Sequence, residues 1–470
     1  MHTIEQIFIN GEFVTPHGTE RFDLYNPATA QVIGQVRLAD EVDAARAVAA
    51  AKAAFPAWSQ TTKQERIAAL KRMHAAVAAR HDELLEAVIE EYGAPASRSA
   101  WMASYPAEVI AQAIEVLEAF EFVTPAGAAT VQMTPLGVAG LITPWNSDAG
   151  FICGKLAAAL AAGCTAVIKP SEMSALQTQI VTEALRDAAL PPGVFNIVTG
   201  RGETVGDTIS RHPDVAKISF TGSTHTGKAI LRNAAESFKR VTLELGGKSP
   251  TILLDDVDLA QAIPLVIQAG FMNSGQACVA GTRILVPYSR KAEIETALAQ
   301  AVAAVNSGDP RDKSTDVGPM VSAKQWQRVQ GYIRKGVEEG ARLLAGGEGR
   351  PEGTQDGWFV RPTLFADVNN QMTIARDEIF GPVLCVIPYR DEAEAIAIAN
   401  DTDYGLSAVV LGGADRARRV AQQIVSGRVL VNTLAHEPKA PFGGFKHSGV
   451  GREMGEWGIR AFMEPRSVLG

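Results

Sequence analysis

The sequence predicts an α/β protein with two doubly wound domains, and three observations support this fold class. The chain has 470 residues, which is more than one hydrophobic core normally serves. From about residue 138, short apolar strands alternate with helical stretches, and the alternation resumes after residue 250. Strands that alternate with helices are typical of a parallel sheet with helices on both faces.

The elements of the first half follow from local patterns. Residues 61–91 carry apolar side chains at helical spacing, and Thr62 with Glu65 is a predicted capping box at the helix start. A later helix is opened by Ser174, with Gln177 three residues on. The predicted strands of this half are VAGLIT, TAVIKP, FNIVTG, AKISFTG and VTLELGG.

The second half predicts a second domain and an arm. Its predicted strands are TILL, RILV, VLCVI, SAVVL and GRVLVN. Residues 122–136 contain two prolines and no helical period, which predicts a hairpin that leaves the first domain. We therefore expect residues 1–121 and 137–244 in the first domain, 245–440 in the second, and 122–136 with 455–470 in the arm. An uncovered strand edge is removed by subunit pairing, so we expect a homodimer or homotetramer.

Composition excludes several classes of function. The net charge of −8 and the lack of a Lys/Arg cluster argue against nucleic-acid binding. No apolar run approaches the ~18 residues of a membrane span, and the amino terminus does not resemble a signal peptide. The four cysteines, at positions 153, 164, 278 and 385, form no CxxC pair and lie near no metal-spaced histidine. We therefore expect a reduced, cytoplasmic protein without a metal or a membrane partner.

One cysteine has unusual neighbours. Cys278 lies in FMNSGQACVAGTR, where most neighbouring residues are small. A free cysteine is usually an inert, buried apolar group. Small neighbours would nevertheless let another chain segment or a substrate approach the sulfur. The local sequence leaves both interpretations open.

Polar side chains follow several of the predicted strands. Asn146 follows VAGLIT, and an amide in a cleft can stabilise an oxyanion, although Asn is also a common turn former. Lys169 and Glu172 follow the next strand, where they would either bind ribose hydroxyls or lie in solvent. A carboxylate there would repel a 2′-phosphate, which favours NAD over NADP. Glu244 lies in an apolar strand, where desolvation raises a carboxyl pKa toward that of a general base.

The stretch GSTHTGKA resembles a phosphate-binding loop. Its glycines and Lys228 match the P-loop pattern, but Ala229 replaces the hydroxyl that would bind Mg²⁺. What remains is a turn at a helix amino terminus, which suits one phosphate or pyrophosphate group. A phosphate-binding NTPase is the alternative from another class of function, and an ATP turnover assay would distinguish it.

Taken in order, the motifs resemble the NAD(P)-dependent aldehyde dehydrogenase superfamily over nearly the whole chain. The motifs that carry this resemblance are PWN (144–146), KPSE (169–172), FTGS (220–223), LELGGKSP (from 242), GQAC (275–278), EIFGPV (378–383) and PFGGFKHSGVGRE (441–453). The resemblance implies a Rossmann-like cofactor-binding domain, a catalytic domain and a β arm that pairs subunits. It also implies the oxidation of an aldehyde to a carboxylic acid.

The resemblance implies catalytic roles for five residues. Cys278 would be the nucleophile, and the Asn146 amide with the Cys278 backbone N–H would form the oxyanion hole. Glu244 would activate the water that hydrolyses a thioester. Lys155 and Glu453 match positions that help to relay protons.

The resemblance also implies a cofactor site for NAD, with NADP possible but less favoured. Lys169 and Glu172 would hold the adenine ribose, Ser223 the pyrophosphate and Glu378 the nicotinamide ribose, with Phe380 beside it. The other residues of the expected cofactor site are Trp145, Pro170, Ser171, Phe220, Gly222, Leu245 and Gly246.

Departures from the family pattern concern the substrate. Ser147 and Asp148 follow the PWN asparagine where an aromatic residue and proline are frequent, and Gly154 replaces another frequent aromatic residue. His436 and Glu437 are expected near the pocket entrance, unless a loop shift moves them into solvent. The expected substrate residues are these four polar residues with Phe151 and Phe442. We therefore expect a wide, polar pocket that favours cationic or polar-neutral aldehydes.

Two further alternatives stay open within this resemblance. A CoA-acylating dehydrogenase would transfer the thioester instead of hydrolysing it, but such members generally lack the base at Glu244. A non-catalytic structural homologue is disfavoured by intact Cys278, Glu244 and Asn146.

Overall fold

The computed structural model describes residues 1–354 and 356–470. The strands are β1 (His2–Ile4), β2 (Ile7–Ile9), β3 (Glu12–Val14), β4 (Arg21–Asn26), β5 (Gln31–Arg37), β6 (Val123–Ala126), β7 (Ala129–Pro135), β8 (Val138–Ile142), β9 (Thr165–Lys169), β10 (Phe195–Ile197), β11 (Val215–Thr221), β12 (Arg240–Glu244), β13 (Pro250–Leu253), β14 (Arg283–Pro287), β15 (Arg342–Ala345), β16 (Thr363–Ala366), β17 (Val383–Tyr389), β18 (Ser407–Leu411), β19 (Arg428–Val431), β20 (Gly449–Val450) and β21 (Met463–Leu469). The helices are α1 (Glu41–Ser59), α2 (Lys63–Ala78), α3 (His81–Ala87), α4 (Ala96–Ala119), α5 (Asp148–Ala162), α6 (Ala175–Asp187), α7 (Asp207–Arg211), α8 (Thr224–Ala235), α9 (Leu259–Phe271), α10 (Lys291–Ala303), α11 (Ala323–Glu338), α12 (Thr373–Arg376), α13 (Glu392–Asn400), α14 (Ala414–Ala421) and α15 (Gly455–Arg460).

The predicted fold class is confirmed. Within the described residues, the first sheet has eight strands in the order β20-β12-β11-β8-β9-β10-β2-β3. Its central strands, β12 to β10, are parallel, and β20 and β2 pair antiparallel at the two sides. Separate apolar clusters pack on its two faces. Every strand that the sequence predicts for the first half belongs to this sheet.

The second sheet is also covered by helices. In the described part of the chain it has seven strands in the order β15-β16-β17-β14-β13-β18-β19. All of its pairs are parallel except β15 with β16. Strands β13, β14, β17 and β18 are almost completely buried, which explains why their sequences are nearly continuous apolar runs.

The arm is a separate small sheet. Strands β6 and β7 form an antiparallel hairpin, and β21, from the far end of the chain, pairs along the whole of β7. A further sheet, in the order β1-β5-β4, lies near the amino terminus. No helix among the described residues is long and apolar enough to cross a membrane.

The starts of α2 and α6 differ in whether a local residue caps the first N–H groups of the helix. Thr62 and Glu65 form the predicted capping box at α2. Ser174 precedes α6 as predicted, but its side chain makes no capping hydrogen bond. Glu91, in the segment Val88–Tyr92, instead accepts hydrogen bonds from the backbone N–H groups of Leu176 (2.8 Å) and Gln177 (2.9 Å). The start of α6 is therefore capped from a distant part of the chain.

Candidate active site

The turn that carries Cys278 connects α9 to β14. The chain leaves α9 through Asn273 and Ser274, which adopt left-handed backbone angles (φ 55° and 59°). A Cβ atom at Gly275 would lie 2.3 Å from the carbonyl carbon of Gly381, and one at Gly247 would lie 2.4 Å from the carbonyl oxygen of Cys278. The small residues around Cys278 are thus needed because three backbone segments meet there.

As a whole residue Cys278 is partly exposed, whereas Cys153, Cys164 and Cys385 are buried. Burial, followed by the carboxylates of Glu378 and Glu244, raises the pKa of the Cys278 thiol to about 12, and the nearby Arg428 guanidinium acts in the opposite direction. The thiol is therefore protonated at neutral pH in the protein alone. A thiolate requires a base or a positive charge near the sulfur.

Asn146 is joined to the cysteine turn by its amide. Its Nδ2 donates a hydrogen bond to the carbonyl oxygen of Gln276 at 3.0 Å. Asn273 Nδ2 donates to the carbonyl oxygens of both Asn146 (3.1 Å) and Gln276 (3.2 Å). Because an amide nitrogen has two N–H donors, the second N–H of Asn146 remains for a substrate oxygen.

Gln276 anchors this turn and was not singled out by sequence reasoning, although it lies within the GQAC motif. Its Nε2 donates to the Tyr92 hydroxyl (3.3 Å) and to the Pro319 carbonyl (3.3 Å). Its Oε1 accepts from the backbone N–H of Val321 at 2.9 Å. A fully buried amide with these partners holds the turn rigidly against two other segments.

Glu244 ends β12 and is only 3% exposed. Neither carboxylate oxygen has a hydrogen-bond partner among the described residues. Burial first, and then the nearby Glu453, raise the pKa of Glu244 well above its ordinary value, while Lys155 opposes the shift. A buried carboxyl group without partners is costly, so this residue is a candidate for a functional group.

Lys155 and Glu453 form a buried ion pair next to Glu244. The Lys155 Nζ also donates to Ser219 Oγ at 3.0 Å, and Ser219 Oγ donates to Glu453 Oε1 at 2.8 Å. These three groups come from α5, β11 and the segment before α15. The structure therefore brings the five expected catalytic residues to one region.

The expected adenine end of the cofactor site lies after β9. Lys169 is buried, and its Nζ lies 3.4 Å from Glu172 Oε2. Arg201 Nη1 lies 3.4 Å from the other oxygen of Glu172. Pro170 and Ser171 are buried between them, and Ser171 Oγ accepts from the N–H of Met173. A cation that was not predicted, Arg201, thus lies beside the expected ribose ligand.

The turn after β11 begins α8. Ser223 caps this helix, because its Oγ accepts from the N–H of Thr226 at 3.2 Å. A Cβ atom at Gly222 would lie 2.4 Å from the ring of Phe220, and one at Gly227 would lie 2.6 Å from Leu245. Ser223 is exposed, so the helix amino terminus is accessible to an anionic group.

Glu378 and Phe380 lie on the facing domain. Glu378 Oε1 accepts from the N–H of Gly247 at 3.0 Å, and a Cβ atom at Gly246 would lie 2.3 Å from Glu378 Oε2. Burial raises the pKa of Glu378 to about 7. Phe380 has a positive φ of 62°, and its ring meets that of Trp145 edge to face at 5.5 Å. The expected nicotinamide end therefore lies between the two domains.

The expectation for Asp148 is wrong. Its side chain is fully buried and accepts hydrogen bonds from Thr143 Oγ1 (2.6 Å) and Thr178 Oγ1 (2.8 Å). Burial raises the pKa of Asp148 to about 7. The side chain points into the helix layer instead of the substrate pocket, because it is the first residue of α5 and two threonines take up its oxygens.

The other expected substrate residues have different surroundings. Phe151 and Phe442 line a cavity of about 90 Å³. Ser147 is half-buried just before α5. His436 is exposed, with its ring edge toward Tyr105 at 6.4 Å, and Glu437 is exposed, with Oε1 accepting from the N–H of Lys439. Glu437 thus lies in solvent. Since Asp148 is buried elsewhere, neither of the two carboxylates that would favour a cationic aldehyde lies in the pocket.

This geometry defines an α/β enzyme with a cysteine at the junction of two doubly wound domains. The model of the aldehyde dehydrogenase family matches residues 13–468. The chain is 44% identical over 473 residues to 3-succinoylsemialdehyde-pyridine dehydrogenase from a Pseudomonas species, covering 100% of this chain and 99% of that protein.

Two solved structures are similar over nearly their whole length. One is a mutant of aldehyde dehydrogenase C from Pseudomonas syringae in complex with NAD⁺ and octanal (TM-score 0.98, 44% identity, covering 100% of this chain and 97% of that chain). The other is Mycobacterium tuberculosis aldehyde dehydrogenase in complex with NAD⁺ (TM-score 0.96, 41% identity, 99% and 98%). The chain belongs to the aldehyde dehydrogenase family, and it is an oxidoreductase.

Proposed function

We propose that this protein oxidises an aldehyde to a carboxylic acid with NAD, through a thioester on Cys278. The observation that carries the proposal is a partly exposed cysteine near an anchored asparagine amide and a buried, unpartnered glutamate. An aldehyde has no leaving group, so a nucleophile must add to it before a hydride can be removed. The relatives that were solved with NAD⁺ support the choice of cofactor.

Each residue has one task in this reaction. The Cys278 thiol gives its proton to water, the resulting thiolate adds to the carbonyl carbon, and the Asn146 amide with the Cys278 N–H stabilises the oxyanion. When bound, NAD supplies the acceptor for the hydride. Glu244 then takes a proton from a water molecule, and the water oxygen attacks the carbonyl carbon of the thioester. The C–S bond breaks, which frees the acid and the Cys278 sulfur. Glu453 and Lys155 can carry that proton away, because the ion pair lies beside Glu244.

The residues of the cofactor face fit NAD. Glu172 and Lys169 present a carboxylate and an ammonium group at the end of β9, where both can bind ribose hydroxyls. Ser223 lies at the amino terminus of a twelve-residue helix, which suits a pyrophosphate. Glu378 faces Gly246 and Gly247 across the domain junction, where it would bind the second ribose.

Glu244 also favours hydrolysis over transfer of the thioester to CoA. An enzyme that transfers the thioester to CoA needs no base to activate water. Because a buried, unpartnered carboxyl group destabilises the fold, such an enzyme would gain nothing from Glu244.

We further propose that the protein acts as a homodimer or homotetramer in the cytoplasm, where its four unpaired cysteines remain reduced.

Two substitutions separate the half-reactions. We expect Cys278→Ser to abolish oxidation, because an alkoxide is far harder to form than a thiolate near neutral pH. Glu244→Gln keeps the thiol, so one burst of NADH per competent site should be followed by very slow turnover. Mass spectrometry of the quenched variant should find the acyl group on the peptide that contains Cys278. Normal steady-state turnover of Glu244→Gln, or an acyl group elsewhere, would contradict the mechanism.

A further inference from the structure

The cavity of about 90 Å³ lies between α4 and α5 and has two unlike ends. Lys155, Ser219 and Glu453 form a polar end, whereas Val109, Ala113 and Ala158 form an apolar wall. Phe442 belongs to the wall, and a Cβ atom on the next residue, Gly443, would lie 2.9 Å from Glu244 Oε1. Glu244 and Cys278 do not line this cavity, but Phe442, which does, is followed directly by Gly443 at the Glu244 carboxylate, so the apolar cavity lies close to the expected base.

Two glycines on one face of α5 line this cavity. A Cβ atom at Gly150 would lie 2.6 Å from Tyr105 Cδ1, so Gly150 lets the Tyr105 ring lie against the helix. A Cβ atom at Gly154 would lie 3.7 Å from Val109, which is an ordinary contact. Glycine destabilises a helix interior relative to alanine. The use of glycine at 154, where alanine fits, thus indicates that width at this point serves the substrate.

Tyr105 lines the cavity, and two further aromatic rings, outside the lining, pack against it. Trp101 stacks on Tyr105 with ring centroids 4.4 Å apart, and their four-residue spacing puts them on one face of α4. His436 meets Tyr105 edge to face. The Arg98 guanidinium lies 3.9 Å from the centroid of Trp101 and fixes that ring. Rigid, flat faces of this kind bind rings better than flexible chains.

Resting on the proposed function, we propose that this cavity, with Tyr105 as its specificity-determining residue, binds the ring of an arylalkyl aldehyde. The aldehyde carbon would lie at Cys278, a short linker would pass Phe151 and Phe442, and the ring would lie between Tyr105 and Gly154. At Gly154 no side chain narrows the cavity on the α5 side. A planar ring uses that width, whereas a linear alkyl chain leaves part of it empty.

The test compares hydrocinnamaldehyde with octanal through the ratio of their kcat/KM values. The wild type should prefer the aryl substrate by about tenfold or more, and Tyr105→Leu should lower the ratio by about fivefold to tenfold. Tyr105→Phe keeps the ring and is the matched control, for which the ratio should be retained. Gly154→Leu fills the cavity and should lower the ratio, whereas Gly154→Ala should not.

Binding provides a readout that does not need turnover. Hydrocinnamyl alcohol, which lacks the reactive carbonyl, should bind the wild type in calorimetry and fail to bind Gly154→Leu. A wild type that prefers octanal, or equal losses in Tyr105→Phe and Tyr105→Leu, would overturn the ring site. Absence of turnover with every aldehyde, acetaldehyde included, would overturn the proposed function instead, and binding of the alcohol would still support the ring site.

Discussion

Charged groups around Glu244 have almost no access to water. Lys155, Glu244 and Lys217 are buried, and the side chain of Glu453 beside them is 19% exposed. Lys217 Nζ donates to Thr242 Oγ1, and burial lowers the pKa of this lysine to about 7. Because charges act strongly on one another where water is excluded, each group influences the protonation of Glu244.

The effect of the neighbouring charges on the pKa of Glu244 should be visible in the pH dependence of the deacylation rate. Glu244 acts as a base only when deprotonated, so the deacylation rate should rise as pH rises through its raised pKa. Glu453→Gln removes a negative charge that raises this pKa and leaves Lys155 to lower it. We expect the acid limb of the deacylation rate to move to lower pH, by roughly one unit. Stopped-flow measurement of the loss of the acyl-enzyme over a pH series would detect the shift.

The matched control for this experiment is Glu456→Gln. Glu456 is an exposed carboxylate on α15 that pairs with Arg460, so its removal should leave the acid limb in place. An unchanged limb in Glu453→Gln, or one that moves to higher pH, would show that Glu453 does not act on the base.

After the pKa of Glu244, the preference for NAD over NADP is a second property that we expect a single residue, Glu172, to set. Glu172 pairs with both Lys169 and Arg201. Its negative charge should repel a 2′-phosphate, so kcat/KM should favour NAD over NADP by about tenfold or more. Glu172→Gln removes the repulsion and frees two cations for the phosphate, so the preference should narrow. Equal use of NADP by the wild type would refute this role of Glu172. Glu20, the other carboxylate that pairs with Arg201, provides a comparison, and Glu20→Gln tests whether it contributes to the cofactor preference.

Capping at the level of helices combines local and distant signals. The box at α2 uses Thr62 and Glu65, which are three residues apart. The carboxylate that caps α6 comes from Glu91, 85 residues before Leu176. Gln177 also donates to Glu91, through Nε2 at 3.1 Å. A buried carboxylate with three N–H donors holds α3 and the following segment against α6.

Loss of this cap should be costly. Glu91→Ala leaves two buried N–H groups at the start of α6 without acceptors, and we expect a loss of about 2–3 kcal/mol in the free energy of unfolding. Ser174→Ala, at the position where a local cap would lie, should cost only about 1 kcal/mol, because its hydroxyl does not cap the helix and makes one long hydrogen bond, to the Trp145 carbonyl at 3.4 Å. Equilibrium urea unfolding followed by circular dichroism compares the two. A larger loss for Ser174→Ala would contradict this account of the helix start.

At the scale of the whole molecule, the active site is formed where two sheet edges meet. Lys169 and Glu244 end β9 and β12, and Asn146 and Ser223 follow β8 and β11. These strands are parallel, so the four residues share the carboxyl edge of the first sheet. Cys278 lies before β14, at the amino edge of the second sheet. Contact between Gly247 and the Cys278 carbonyl brings the two edges together. Neither domain contains a complete site.

The arm sheet, formed by β6, β7 and β21, predicts that several copies of the chain assemble into an oligomer. Strand β21 pairs with β7 on one side, and within the described residues its other edge has no partner strand. Val123, Val468 and Leu469 are exposed on this sheet. We expect two or four chains per particle by light scattering at micromolar concentration, and smaller particles when Val468 and Leu469 are both changed to Asp. Val337→Asp, an equally exposed valine on α11, is the control, and a monomeric wild type would refute the prediction.

The sequence by itself determined the fold class, the ten predicted core strands and the order of the motifs. These features depend on the apolar period and on turn residues, which act over a few neighbouring positions. The order of the motifs also pointed to Cys278, Glu244 and Asn146, whose local surroundings alone left their roles open. Strands β1 to β5, β15, β16 and β20 were not predicted. Most of them have only two to four residues, and the longer strands β4 and β5 mix polar residues with the apolar ones.

Only the tertiary structure decided where the polar side chains point. Asp148 follows Asn146 closely in sequence, yet Thr178, 30 residues later, takes up its carboxylate and removes it from the pocket. The cap from Glu91, the unpartnered carboxylate of Glu244 and the space beside Gly154 likewise depend on helices and strands that are distant in sequence. Burial and hydrogen-bond partners are properties of packed elements, and a local pattern contains no information about which distant residue will occupy the remaining space.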